Sequence, residues 1–132
     1  MQLLVQVIEA RGLRALDPDE LSDPYVRLQL GKHRLKTQVM RKTLSPFWDE
    51  EFNFWIGDLH PREKLTVSVL DDDDDKLLGR LKVPLRKVLD TDNLSLGDAW
   101  YELQPRKKNS KNRVCGNRSI SSIFLCLISN FG

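Results

Sequence analysis

Five consecutive carboxylates, Asp71 to Asp75, are the densest concentration of chemistry in this sequence. Neighbouring carboxylates about 6 Å apart repel by roughly 0.7 kcal/mol per pair even at the dielectric of water. A folded loop carrying several such pairs is relieved by a divalent cation. Calcium suits the case because it takes several hard oxygen ligands with flexible geometry. One loop rarely completes such a shell, so a second acidic segment is expected, and Asp17, Asp19, Glu20 and Asp23 offer one. On the run alone, a hydrated acidic hairpin that binds nothing is the plain alternative.

The basic residues are also patterned. Lys32, Arg34 and Lys36 alternate along one face of a short segment, and Arg41 and Lys42 follow. An edge strand protected by charge is the plain reading of such a row. A second run contains Arg106, Lys107, Lys108, Lys111, Arg113 and Arg118 and no acid. Asn, Ser and Gly lie between those charges, as in a solvated linker or loop. Neither His33 nor His60 has a Cys, Asp or Ser arrangement that supports catalysis. No nucleophile-and-base set or cofactor loop is visible, so no enzyme is expected. Cys115 and Cys126 lack metal-site spacing and are expected as free thiols, pairing only under oxidising conditions.

The elements that position these residues follow a period of two. Leu3, Val5 and Val7 alternate with polar positions, as do Val26, Leu28 and Leu30, and Leu65, Val67 and Val69. Such alternation marks strands with one buried face. Turn clusters separate them at Asp17-Pro18-Asp19, Ser22-Asp23-Pro24, Leu44-Ser45-Pro46, His60-Pro61 and the Asp run. Strands are predicted near 2–9, 25–31, 33–39, 48–55, 64–70, 78–84, 99–104 and 119–128, with one brief helix over Pro84 to Leu89. The period-two placement of Trp48, Phe52, Phe54, Trp55, Trp100 and Tyr101 predicts core and near-core packing. No βαβ alternation supports a nucleotide-binding fold.

Composition agrees with one soluble domain. The 132 residues are 40% hydrophobic and 30% charged, and 21 Lys+Arg against 19 Asp+Glu leave a formal net charge of +2. That balance argues against a uniformly basic nucleic-acid binder. Gln and Glu interrupt the apolar start, which reads as no signal peptide. The apolar stretch Ile120 to Ile128 is far shorter than the roughly 20 residues of a spanning helix. A cytoplasmic monomer, peripheral at any membrane it touches, is expected.

The residues also carry a family resemblance. Ile8-Glu9-Ala10-Arg11-Gly12-Leu13, Leu16-Asp17 and Leu21-Ser22-Asp23-Pro24-Tyr25-Val26 resemble the opening of a C2 domain. Lys36-Thr37, Leu44-Ser45-Pro46-Phe47-Trp48-Asp49-Glu50 and Leu65 to Asp73 continue the match, followed by Leu78-Gly79 and Ala99 to Leu103. Leu30-Gly31-Lys32 and Ser95-Leu96-Gly97 resemble the amino-terminal C2 domain of plant C2-and-GRAM proteins.

The resemblance implies an eight-stranded antiparallel β-sandwich of permuted, type II topology. Residues 1–116 would form the domain core. Residues 117–132 depart from the family pattern and would supply the last strand, as the ending of a truncated or alternatively spliced form of a longer protein. The resemblance assigns Asp17, Asp23, Asp71 and Asp73 as Ca2+ ligands. The next ligand position is occupied by Lys76, whose ammonium has no lone pair to offer. Asp74 or Asp75 is left to stand in, within a loop about three residues short, so one calcium site of moderate-to-weak affinity is expected. Lys32, Arg34, Lys36, Arg41 and Lys42 resemble the family's basic patch for phosphoinositide headgroups. Leu77 and Leu78 are candidates for the loop tip, with Leu78 assigned to the core.

The implied function is calcium-responsive binding to an anionic phospholipid membrane. The alternative is a calcium-independent module using the basic strand for a protein partner or for anionic lipid. Single-stranded nucleic acid, held by the basic run and aromatics, is a weaker third option and is not expected.

Overall fold

Among the described residues, apolar side chains at alternate positions turn one face of most strands inward, and eight strands form, the short segment His33–Lys36 being exposed throughout. The computed structural model describes residues 1–13, 22–57, 59–73, 75–104 and 120–128. The strands are β1 (Gln2–Arg11), β2 (Pro24–Leu30), β3 (His33–Lys36), β4 (Phe47–Trp55), β5 (Lys64–Asp71), β6 (Leu77–Pro84), β7 (Ser95–Glu102) and β8 (Ile120–Ile128). One helical turn, α1 (Leu85–Leu89), joins β6 to β7. The strands make two four-stranded sheets, ordered β4-β1-β8-β7 and β3-β2-β5-β6, and every pairing is antiparallel. The chain is therefore an all-β sandwich. β8 lies between β1 and β7.

The inward faces meet in a single apolar core. Leu3, Val5 and Val7 of β1, Phe54 of β4, and Ile123 and Leu125 of β8 belong to the same cluster as Val26, Leu28 and Leu30 of β2 and Leu65, Val67 and Val69 of β5. Burying each such side chain contributes about 1.5–3 kcal/mol. A bulge between Val7 and Glu9 interrupts the pairing of β1 with both neighbours. It switches the phase of the strand, so Ala10 is buried instead of Glu9. Ser121 Oγ donates to the Glu9 carbonyl beside that bulge.

Three departures from the sequence reading have physical causes. β3 stops at Lys36, short of residue 39. Thr37 Oγ1 accepts from Val26 N and donates to Gln38 O, so a side chain takes the place of a ladder partner. β7 begins at Ser95, earlier than 99. A register shift between Ser95 and Gly97, with Gly97 at φ +63°, lets this Gly-containing stretch join the ladder. The aromatics also divide differently. Trp48 and Phe54 are buried, but Trp55 and Trp100 face solvent at 52% and 46% exposure. Trp55 and Phe54 are adjacent on one strand and so point to opposite faces. The Trp100 ring instead stacks under the Arg11 guanidinium, 4.7 Å from centroid to Cζ.

Candidate metal and lipid site

Asp23 and the start of the Asp run are joined at one end of the β2–β5 pair. Pro24, the first residue of β2, is the register partner of Asp71, the last residue of β5. Asp23 N donates to Asp71 Oδ1 at 3.3 Å, and Asp72 N donates to the Asp23 carbonyl at 2.9 Å. Asp71 Oδ1 also accepts from Asp73 N at 3.2 Å. Both carboxylates are buried, each at 8% exposure. Backbone N–H donors compensate that burial at Asp71, because an ionised oxygen accepts strongly from them. Asp23 Oδ1 accepts from Lys42 N at 2.6 Å, and Asp23 Oδ2 lies 4.0 Å from Arg41 Nη1.

The two ends of the Asp run close on each other. Asp71 N donates to the Lys76 carbonyl, and Asp75 N donates to the Asp71 carbonyl. Asp75 takes φ 54°, a left-handed conformation that aspartate tolerates better than most residues. Its Oδ1 accepts from the Tyr25 hydroxyl at 2.9 Å. Burial pushes the Tyr25 phenol above its usual pKa, and the hydrogen bond to Asp75 adds to the effect.

Of the predicted metal ligands, Asp23, Asp71, Asp73 and Asp75 are thus carried by segments that meet at one rim. Asp17, Asp19, Glu20 and Asp74 lie outside the described residues, as does Cys115. Among the described residues, no group of three or more His, Cys, Asp or Glu side chains could hold a metal ion. Leu78 is buried as expected, and Leu77 is half-buried.

The basic residues occupy the outer face of the β3-β2-β5-β6 sheet. Cross-strand register sets Lys36 beside Arg27, Arg27 beside Ser68, and Ser68 beside Arg80. The next row on that face runs Arg34, Gln29, Thr66, Lys82. With strands about 4.8 Å apart, each row spans roughly 14 Å. Arg80 Nε donates to Ser68 Oγ at 3.2 Å, which ties the guanidinium to the sheet. Arg34 and Lys36 are exposed on this edge. Lys32 stands apart from them, in the two-residue turn between β2 and β3. Gly31 begins that turn at φ +59°, the backbone a type II′ hairpin requires. Arg41 and Lys42 lie beside Asp23, at the acidic end.

Sequence reasoning missed Arg27, Arg80 and Lys82. Each alternates with buried neighbours, so its outward direction was available. The register that brings three distant strands into one row was not.

A family model described as C2 domain matches residues 1–103. The chain belongs to the C2 domain family. This C2 domain is 50% identical over 119 residues to a C2 and GRAM domain-containing protein of Arabidopsis thaliana, an alignment covering 88% of the chain and 11% of that relative. It is 35% identical over 143 residues to Synaptotagmin-7 of Mus musculus, covering 96% of the chain and 34% of the relative. The chain therefore spans a small part of these relatives. In three dimensions it resembles the calcium-bound tandem C2 domains of Extended-Synaptotagmin 2, with a TM-score of 0.75 and 26% identity. That match covers 95% of this chain and 41% of the other. Among the described residues, no helix is long and apolar enough to cross a membrane.

Proposed function

We propose that this C2 domain is a calcium-responsive module that binds the surface of anionic phospholipid membranes. The supporting observation is the junction of Asp23 with Asp71, which sets Asp23 against the start of the Asp run beside a basic sheet face. The donor chemistry fits the ion, since carboxylate oxygens are the hard ligands calcium takes. Asp23, Asp71, Asp73 and Asp75 would hold it, with Asp17 from the first acidic loop. A bound ion would supply positive charge that attracts lipid phosphate.

The protein's own residues do the rest. Without the ion, the acidic rim repels an anionic leaflet. Once that charge is cancelled, the cations of the basic face can approach, each contributing about 1 kcal/mol near the surface. Arg34 and Lys36 lead that face, backed by Arg27, Arg80 and Lys82, with Lys32, Arg41 and Lys42 at its ends. In this reading, β8 between β1 and β7 is the type II arrangement. Residues 1–116 are the domain core, and residues 117–132 supply its last strand. The module acts as a cytoplasmic monomer.

A second reading is favoured by a specific observation: the described carboxylates do not assemble three potential ligands. In that reading the basic face binds anionic lipid or a protein partner without calcium. Sedimentation with phosphatidylserine vesicles separates the two. Calcium-dependent binding that disappears in D71N/D73N supports the first. Binding indifferent to chelator but weakened in R34Q/K36Q supports the second, and no vesicle binding at all points to a protein partner.

A further inference from the structure

A cluster of cations also occupies the opposite pole of the sandwich. β5 runs from Lys64 to Asp71, so Lys64 lies about 23 Å from the acidic rim at strand rise. Three elements converge beside it. The turn before β5 is fixed by Arg62 N donating to His60 Nδ1 at 3.1 Å and by Glu63 N donating to the His60 carbonyl at 2.9 Å. The Glu63 carbonyl accepts from Leu85 N, which fastens this turn to the start of α1. Within α1, Leu85 and Val88 are buried and Arg86 is exposed. β6 ends at Pro84, the register partner of Lys64.

Arg62, Lys64 and Arg86 line an open cleft of about 410 Å³ whose remaining walls are Pro61 and Pro84. Arg62 and Lys64 also line an adjoining cleft of about 440 Å³, together with Lys82, Arg80 and Glu63. Neither ion pair found among the described residues involves Arg62, Lys64, Lys82 or Arg86. The proline walls contribute no N–H, so the chemistry of the cleft is that of its cationic side chains.

We propose that this polar cleft is a phosphate-binding site, separate from the acidic rim and from the Arg34–Lys36 edge, that takes a phosphate-monoester group. Two guanidinium forks match phosphate oxygens in pairs, and the Lys64 ammonium adds a point charge. Arg62, Lys64 and Arg86 are exposed and of like sign, and a multiply charged anion would supply their counter-charge. The group can be borne by a lipid headgroup or by a soluble phosphate. In the first case the domain has two membrane-facing ends, one at each pole.

The test uses the full chain, isotope-labelled, in chelator so that the acidic rim plays no part. Inositol 1,4,5-trisphosphate is titrated while backbone amides are followed by NMR, with R62Q/R86Q as the variant. The proposal expects the largest shifts at residues 62–64 and 85–87. It expects a loss of affinity of roughly twenty-five-fold in R62Q/R86Q, at about fivefold per surface cation. The variant alters exposed side chains, and unchanged amide spectra elsewhere confirm the fold. A parallel arm measures binding to phosphatidylcholine vesicles carrying phosphatidylinositol bisphosphate. Weakening of both arms in R62Q/R86Q assigns a lipid headgroup, and weakening of the trisphosphate arm alone assigns a soluble phosphate. Shifts confined to β2 and β3, or a trisphosphate affinity that R62Q/R86Q leaves unchanged, overturn the proposal while leaving the calcium reading intact.

Discussion

The Asp23 amide donates to Asp71 Oδ1 at 3.3 Å, linking residues 48 positions apart in the chain. The same oxygen accepts from Asp73 N, so one carboxylate orders both the entry to β2 and the exit from β5.

Removing that acceptor is therefore expected to cost stability as well as function. Asp71→Ala leaves two N–H donors without their charged partner and should lower unfolding free energy by about 2 kcal/mol. Asp71→Asn keeps an acceptor oxygen and should cost less while abolishing calcium-dependent vesicle binding. Urea denaturation of both variants, beside sedimentation, checks the split. Equal destabilisation by the two would show that hydrogen-bond acceptance at Asp71 is not what matters.

Tyr25 gives a pH signature. Its folded-state pKa is raised above the reference of 10.0, chiefly by burial and then by the Asp75 hydrogen bond. A phenol with a raised folded pKa contributes stability that is fully present below the unfolded pKa. That stability is lost as pH rises through the folded value. Unfolding free energy should therefore fall with pH above about 10 in the wild type. The fall should be smaller in Tyr25→Phe, which loses about 1 kcal/mol at neutral pH with its hydrogen bond. Denaturation curves on both sides of pH 10 measure this, and parallel pH dependences would refute the assignment.

Neutralising the middle of the basic face should matter as much as neutralising its edge. Arg27→Gln and Lys82→Gln are each expected to weaken binding to anionic vesicles about fivefold, with the effect shrinking at high salt. Flotation across a salt series reads both. Full affinity in the double variant would confine the lipid contact to Arg34 and Lys36.

β8 is expected to be integral to the sandwich, because Ile123 and Leu125 are buried in its core at 0% and 1% exposure. Leu125→Ala should destabilise the domain by about 2–5 kcal/mol. A loss below about 1 kcal/mol by chemical denaturation would mean that this strand is dispensable to the core.

Much of the fold was legible in the sequence because alternation is a local signal. Leu3, Val5 and Val7, or Leu65, Val67 and Val69, announce their faces without reference to any partner. What alternation cannot show is which strand lies alongside which. Arg27, Ser68 and Arg80 form one row only after β2, β5 and β6 take their register, so two of the row's cations went unnoticed while the edge pair, Arg34 and Lys36, stood out. The same gap explains Trp55 and Trp100. Each sits in a strand pattern, but the packed face is decided by Phe54 and Tyr101 beside them. The end of β3 at Lys36 was hidden for another reason, since the Thr37 hydroxyl substitutes for backbone pairing. At the acidic rim, chain chemistry identified Asp23 and Asp71, whereas Tyr25 as the partner of Asp75 required the folded loop.

Calorimetric titration with calcium tests the central claim most directly. If the joined acidic segments form an ion pocket, the wild type should give saturable heat for one ion, and D71N/D73N should give none while remaining folded. Silence of the wild type through millimolar calcium, with the fold intact, would contradict the metal-binding account and leave any membrane contact to the protein's own cations.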